Sequence, residues 1–232
     1  MIPLRDNIPS IRAPLVTVGL IIVNVLVYVN QLSLPPRAAA RFAYLYGLIP
    51  IEISSGDLLV THPVPLYATL LTSMFVHGGL FHIAGNMLYL WIFGDNVEDT
   101  LGHLKFLIFY FLSGLAAAGA QILSDPHSKI PMIGASGAIS GVLGAYLLLF
   151  PHARVLTLLA LGWFVRLVEI PALVVLGFWI VFQVLYGLLT LGVQVGGVAW
   201  FAHIGGFVAG LVMVIPFSRR RGSWDRRDRE WS

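Results

Sequence analysis

The sequence predicts an all-α polytopic membrane protein, a bundle of six transmembrane helices with both termini in the cytoplasm. Composition and the spacing of apolar runs carry the prediction. Of 232 residues, 58% are hydrophobic and 11% charged, and the mean hydropathy is +0.86, a balance suited to a bilayer. All 11 acidic residues lie outside the long apolar runs, so histidines are the ionisable candidates at membrane depth. The chain has no cysteine, which excludes disulfides, thiolate metal sites and a cysteine nucleophile.

Residues 1–13 form a polar cytoplasmic lead, and residues 14–217 the membrane domain. The first span is 14–32, about long enough to cross with little tilt. Its basic lead and apolar run also fit a cleaved signal peptide loosely, but Asn24 and Asn30 interrupt the run and a multi-spanning chain needs no removable signal. Residues 33–65 read as a long, Pro-rich loop, partly embedded in the membrane. Gly78-Gly79 divides the next apolar stretch, giving an interfacial segment at 67–76 and a second span at 80–97. A turn containing Asp95, Asp99 and Gly102 leads to the third span, 104–123, and the fourth opens at Gly134-Ala135-Ser136-Gly137 and stops before Pro151. The apolar piece 155–165 is too short to cross and is flanked by Arg154 and Arg166, so it is expected to lie at the interface. Pro171 opens the fifth span, ending near 191, and the sixth covers 198–217. The basic tail, 218–232, is expected to be disordered.

Sorting the 14 Lys and Arg by this topology puts eleven on the side of the termini (Arg5, Arg12, Lys105, Arg154, Arg166 and six in the tail) and three opposite (Arg37, Arg41, Lys129). That asymmetry makes the termini cytoplasmic. The second, fourth and sixth spans then run inward, which gives their residues a common depth scale. Ser136 lies fifteen residues before Pro151, and His203 fifteen before Ser218, so both sit ~22 Å above the cytoplasmic boundary. Ser136 and His203, each of which alone would read as helix packing or as a carbonyl cap, thus share a level within reach of water from outside through a cavity, as a nucleophile and its base require. His82 and Asn86 lie one turn apart in the outer half of the second span and can donate hydrogen bonds to an oxyanion. Gly137, Gly141 and Gly144 make one stripe of the fourth span, and Gly206 and Gly210 share the His203 face of the sixth, so close helix packing is expected there. His77, beyond the Gly-Gly break, suits a structural or water-organising role. His62, His103, His127 and His152 are expected to be solvated.

These residues resemble those of the rhomboid intramembrane serine proteases. The motifs are HGGLFHIAGN (His77, His82, Asn86), GASG (Ser136) and AWFAHIGGFVAG (His203), with FGDNVEDTLG in support. The resemblance covers residues 72–217. It implies a rhomboid-like six-helix bundle that cleaves transmembrane segments of other membrane proteins, usually single-pass, near their outer end and after a small residue. Two departures stand out. Many members carry a Trp-Arg pair in the first loop, whereas the first tryptophan here is Trp91, and the aromatic that some members place four residues after the nucleophile is Ser140. The resemblance therefore supplies no aromatic to orient His203.

With no carboxylate at that depth, the expected mechanism is a Ser136-His203 dyad, with the Ser136 backbone N–H, His82 and Asn86 stabilising the oxyanion. No metal or cofactor is implied, and the partners expected are transmembrane substrates and lipid, not nucleic acid. Phe178, Trp179 and Phe182 on the fifth span either face lipid or form a lateral substrate gate, which only the resemblance suggests. Two rival readings are a noncatalytic rhomboid-like protein that binds or moves transmembrane segments, and a histidine-lined transporter. The first tends to lack nucleophile or base, and the second is disfavoured by the absence of an internal repeat and of a membrane carboxylate. A compact chain with no organelle-targeting extension is expected in a prokaryotic inner membrane.

Overall fold

The structure is a computed structural model and describes residues 1–161, 164–191 and 198–218. In chain order it contains β1 (Ile2–Asp6), α1 (Leu15–Leu32), α2 (Pro36–Tyr46), α3 (Pro50–Ser55), α4 (Thr69–Thr72), α5 (Leu80–Leu101), α6 (His103–Ser124), α7 (Ser136–Leu149), β2 (Arg154–Leu161), β3 (Phe164–Pro171), α8 (Ala172–Leu189) and α9 (Trp200–Ser218). Among the described residues, α1, α6 and α8 are long and apolar enough to cross a membrane. A fourth candidate is the bent pair of 66–75 and α5, which meet at 82° across the Gly78-Gly79 break, while α7 and α9 are shorter apolar helices.

The long helices show what surrounds them. Ile22, Leu26 and Val29 of α1, Ile108 and Leu112 of α6, and Val181, Leu185 and Leu188 of α8 are exposed. Apolar surface on this scale is stable against hydrocarbon, where each helix satisfies its own backbone, and costly against water. The protein is an integral membrane protein.

At the centre lies α7, buried from Ala138 to Tyr146. It packs so closely on α9 that a Cβ at Gly206 would overlap the Gly137 carbonyl, and one at Gly210 the Gly141 carbonyl. Only glycine permits that approach. Leu90 and Phe93 of α5, Tyr110 of α6, and Leu143 and Tyr146 of α7 are among the fully buried core residues around it.

The end of the bundle remote from Ser136 differs from the sequence expectation in several ways. The acidic stretch is no turn: α5 runs on through Asp95, Glu98 and Asp99, and the chain reverses at Gly102, whose φ of +79° suits glycine. Those carboxylates have partners in the chain's first residues. Glu98 accepts the Val16 and Thr17 N–H groups at 2.9 and 2.8 Å and the Thr17 hydroxyl at 2.7 Å, so it caps the start of α1 from another helix. Asp99 accepts the Ile11 and Arg12 N–H groups, and Asp95 the Ser10 hydroxyl. His103, expected to be solvated, has Nδ1 2.6 Å from Glu98.

The polar lead and the 155–165 piece contribute strands. β2 and β3 pair antiparallel from Arg154↔Pro171 onward, and β1 adds to the β2 edge, giving a three-stranded sheet in the order β1-β2-β3. Length excluded a span for this piece but could not choose between a helix and a hairpin. The signal lay in alternation: Val155 and Thr157 point into the protein while Arg154 and Leu156 do not. The long first loop contains two helices, with Pro36 and Pro50 each in a first turn at the start of α2 and α3. The tail expected to be disordered lies, apart from Ser218, outside the described residues.

Asp6 ties the sheet to the bundle, accepting from the Tyr146 hydroxyl and, at 3.0 Å, from Asn96. Burial pushes its carboxyl up to about 6, the neighbouring Asp95 adds to this, and the Tyr146 bond opposes it. Because the folded value exceeds the unfolded one, the folded state binds the proton more tightly. Stability therefore falls as pH rises from about 4 to about 6 and stays lowered above. Asp6→Asn keeps an acceptor without the charge. Its melting temperature should exceed that of the parent at about pH 7.5 and match it near pH 4. Parallel melting curves across that range would remove Asp6 as the cause.

Candidate active site

Three helices bring the sequence-derived candidates together. Ser136 is the first residue of α7, where the N–H groups of the opening turn have no partner inside the helix. His203 lies in the first turn of α9, next to Ala202, whose N–H is held by Gln121 of α6 at 3.2 Å. The Ser136 Oγ and His203 Nε2 are 2.7 Å apart. That distance is within reach for proton transfer from the hydroxyl to the ring.

The second group lies against Gly134, two residues before Ser136. His82 Nδ1 accepts the Gly78 N–H at 3.3 Å, so in the neutral ring the proton sits on Nε2, which becomes a donor. Asn86 is buried, and its Nδ2 has no hydrogen-bond partner. Both face the backbone of Gly134. A Cβ built there would lie 2.6 Å from His82 Nε2 and 3.6 Å from Asn86 Nδ2. Gly134 has φ of +113°, and its N–H is bonded to the Ser73 carbonyl at 2.9 Å, so the chain is pinned in a shape that brings its backbone close to both side chains and suits glycine. A buried, unsatisfied amide donor costs free energy unless something accepts from it. An oxyanion forming at Ser136 is an acceptor of the right kind.

His77 is locked to α1: Gln31 accepts its N–H and donates to its carbonyl, both at 3.1 Å. Its ring packs edge-on to His82 with centroids 5.1 Å apart, and its Nε2 is buried without a partner. It abuts the donor group and does not touch the Ser136-His203 pair in the hydrogen bonds described.

Two features were missed in the sequence. Gln183 of α8 places Oε1 2.7 Å from His203 Nδ1. The available signal was a lone amide inside an apolar 18-residue helix. Trp179, grouped with Phe178 and Phe182 in the sequence, lies with its ring 5.8 Å from that of His203 and 6.1 Å from Phe207. Phe178 and Phe182 are exposed. The three aromatics thus occupy different faces. Ser140 is buried and donates to the Ser136 carbonyl at 2.6 Å, which explains why it does nothing for the imidazole.

A profile of the family described as "Rhomboid domain" matches residues 66–220. The chain belongs to the rhomboid family. Mitochondrial Rhomboid protein 1 of Saccharomyces cerevisiae is 29% identical over 150 residues, covering 62% of this chain and 40% of the relative. RHOMBOID-like protein 1 of Arabidopsis thaliana is 32% identical over 149 residues (64% and 34%), and rhomboid protease GluP of Bacillus subtilis 33% identical over 141 (61% and 24%). The chain therefore spans between a quarter and two fifths of the length of these relatives. They come from a fungus, a plant and a bacterium, so they lend no support to a specifically prokaryotic source.

This rhomboid holds its first loop without a Trp-Arg pair. Glu52, fully buried, accepts the Leu59 N–H at 2.7 Å and the Val60 N–H at 3.2 Å and lies 2.7 Å from His62 Nε2. His62 Nδ1 donates to the Leu45 carbonyl at 2.8 Å, so His62 is a buried clamp and not a solvated residue. Leu48 and Met132 then exchange backbone hydrogen bonds, tying the loop to the segment that leads into Gly134.

Proposed function

We propose that this rhomboid is an intramembrane serine endopeptidase with six spans and cytoplasmic termini, which cuts transmembrane segments of other proteins near their extracytoplasmic end. The observation that carries the reading is the 2.7 Å Ser136-His203 contact beside a buried, unpartnered donor on Asn86. A protein that only binds transmembrane helices has no use for that combination. The Lys and Arg asymmetry supports the orientation, and the relative named as a protease supports the chemistry.

His203 Nε2 takes the Ser136 proton as Oγ bonds to the scissile carbonyl carbon, and the C=O electron pair moves onto oxygen. That oxygen sits at the start of α7, where the Ser136 N–H and the helix dipole favour negative charge, with donors from His82 and Asn86. Collapse breaks the C–N bond, and the Nε2 proton goes to the leaving amine. Water attacks the acyl-enzyme by the same route in reverse. His77 packs behind His82. Phe178 and Phe182 are the gate side chains a substrate helix meets on α8. The partners are single-pass membrane proteins with a small residue before the cut.

Reconstitution in liposomes with a single-span reporter tests this. The parent should release two fragments, with the cut mapped by mass spectrometry to the outer third of the segment, and Ser136→Ala none. Reporter bound equally by both proteins and cut by neither would favour the noncatalytic reading.

A further inference from the structure

We infer that Gln183 is the positioning residue of the base: its Oε1 accepts the His203 Nδ1–H and so fixes the tautomer that leaves the Nε2 lone pair facing Ser136. The inference rests on the serine-protease reading and supplies what that reading lacks, a group that orients the imidazole.

A neutral imidazole carries one proton, on either nitrogen. With the proton on Nε2 it cannot accept from the serine, so a Ser-His pair needs an acceptor at Nδ1. Gln183 provides one at 2.7 Å and is itself buried. The other neighbours cannot do this. Trp179 and Trp200 flank the ring at 5.8 and 6.5 Å and restrict its plane, but an indole N–H only donates and does not select a tautomer. Ser140 is committed to the Ser136 carbonyl. Among the described residues, the ring nitrogens of His203 bond to Gln183 and Ser136 and to no carboxylate.

The sequence spacing on α8 fits the role. Trp179 and Gln183 are four residues apart, on one stripe that faces α9, while Phe178 and Phe182 make the adjacent, exposed stripe. A glutamine within an otherwise apolar helix is costly at this depth unless its amide is engaged, and here the engagement is with the base. When His203 is protonated during attack, both nitrogens donate and Oε1 still accepts, so the amide supports the ring in both charge states. A flipped amide would present its NH2 to Nδ1 and favour the unproductive tautomer. Gln183→Glu offers only acceptors and so separates acceptance from mere polarity.

Two measurements decide the matter. In the reporter assay, Gln183→Leu and the near-isosteric Gln183→Met should lower kcat about 100-fold, part of the roughly 100- to 10,000-fold supplied by general-base catalysis, with KM within about twofold. Gln183→Glu should stay within about tenfold of the parent, since a carboxylate is the usual orienting partner. A folded Leu or Met variant with parental kcat, or a Glu variant as impaired as Leu, would overturn the inference. The second measurement needs no variant: the 15N shifts of the His203 ring in the parent should report a proton on Nδ1 and none on Nε2. The reverse pattern rejects the role of Gln183 even in an active enzyme. A parent that fails to cleave, with Nδ1 protonated as expected, points instead to failure of the protease reading.

Discussion

Ser136→Ala should lose about 10,000- to 1,000,000-fold in kcat, His203→Ala should lose a similar amount, and the double variant should be no worse than either single. The reason is the 2.7 Å contact between them. Each residue is effective only through the other, because the hydroxyl is a weak nucleophile without its base and the base has no proton to take without the hydroxyl. Both side chains are replaced by a methyl group at helix positions that tolerate alanine, so the variants should fold. Cleavage of the liposome reporter, followed to the detection limit, provides the check. Additive losses in the double variant would mean that the two residues act in separate steps, which the geometry does not allow.

Gly134→Ala should lower kcat about 1,000-fold, the upper end of what removal of one oxyanion donor costs. Two effects combine at this position. A φ of +113° is strained for any residue with a Cβ, at a cost of about 1 to 3 kcal/mol. The Cβ itself would lie 2.6 Å from His82 Nε2 and so push this donor out of place. Gly56→Ala separates the two, because Gly56 has φ of +78° but nothing within 4 Å of an added Cβ. It should lose some stability and keep full activity. If Gly134→Ala turned over at the parental rate, the close approach of Gly134 to His82 and Asn86 would have no part in the reaction.

How much of this was legible in the sequence depended on the range of the signal. Long apolar runs locate α1, α5, α6, α8 and α9 to within a few residues, because a bilayer demands both length and apolarity from each helix. Equal depth for Ser136 and His203 followed from counting along two such helices. The sheet was harder. Pairing of β1 with β2 joins residues about 150 positions apart, and no local pattern reports a partner that distant. Asp95 and Asp99 interrupt the apolar run and so read as a turn, whereas α5 continues through them because donors in and before the start of α1 meet its carboxylates: the Ser10 hydroxyl at Asp95, the Ile11 and Arg12 N–H groups at Asp99, and the Val16 and Thr17 N–H groups at Glu98. Within the site, His82 and Asn86 stood out as polar groups on one helical face. Gln183 is harder to read because the aromatics around it mark the outer face of α8, although a single amide in an apolar span carries the same information as a single histidine. Ser140 suggested that the base had lost its support, but that support comes from a different helix.

The most direct test of the central claim is covalent labelling of the purified protein by a serine-directed fluorophosphonate, compared among the parent, Ser136→Ala and His203→Ala. An activated hydroxyl at Ser136 predicts labelling of the parent alone, with the adduct on the peptide containing Ser136. Equal labelling of all three proteins, or a folded parent that takes no label and leaves the liposome reporter intact, would contradict it.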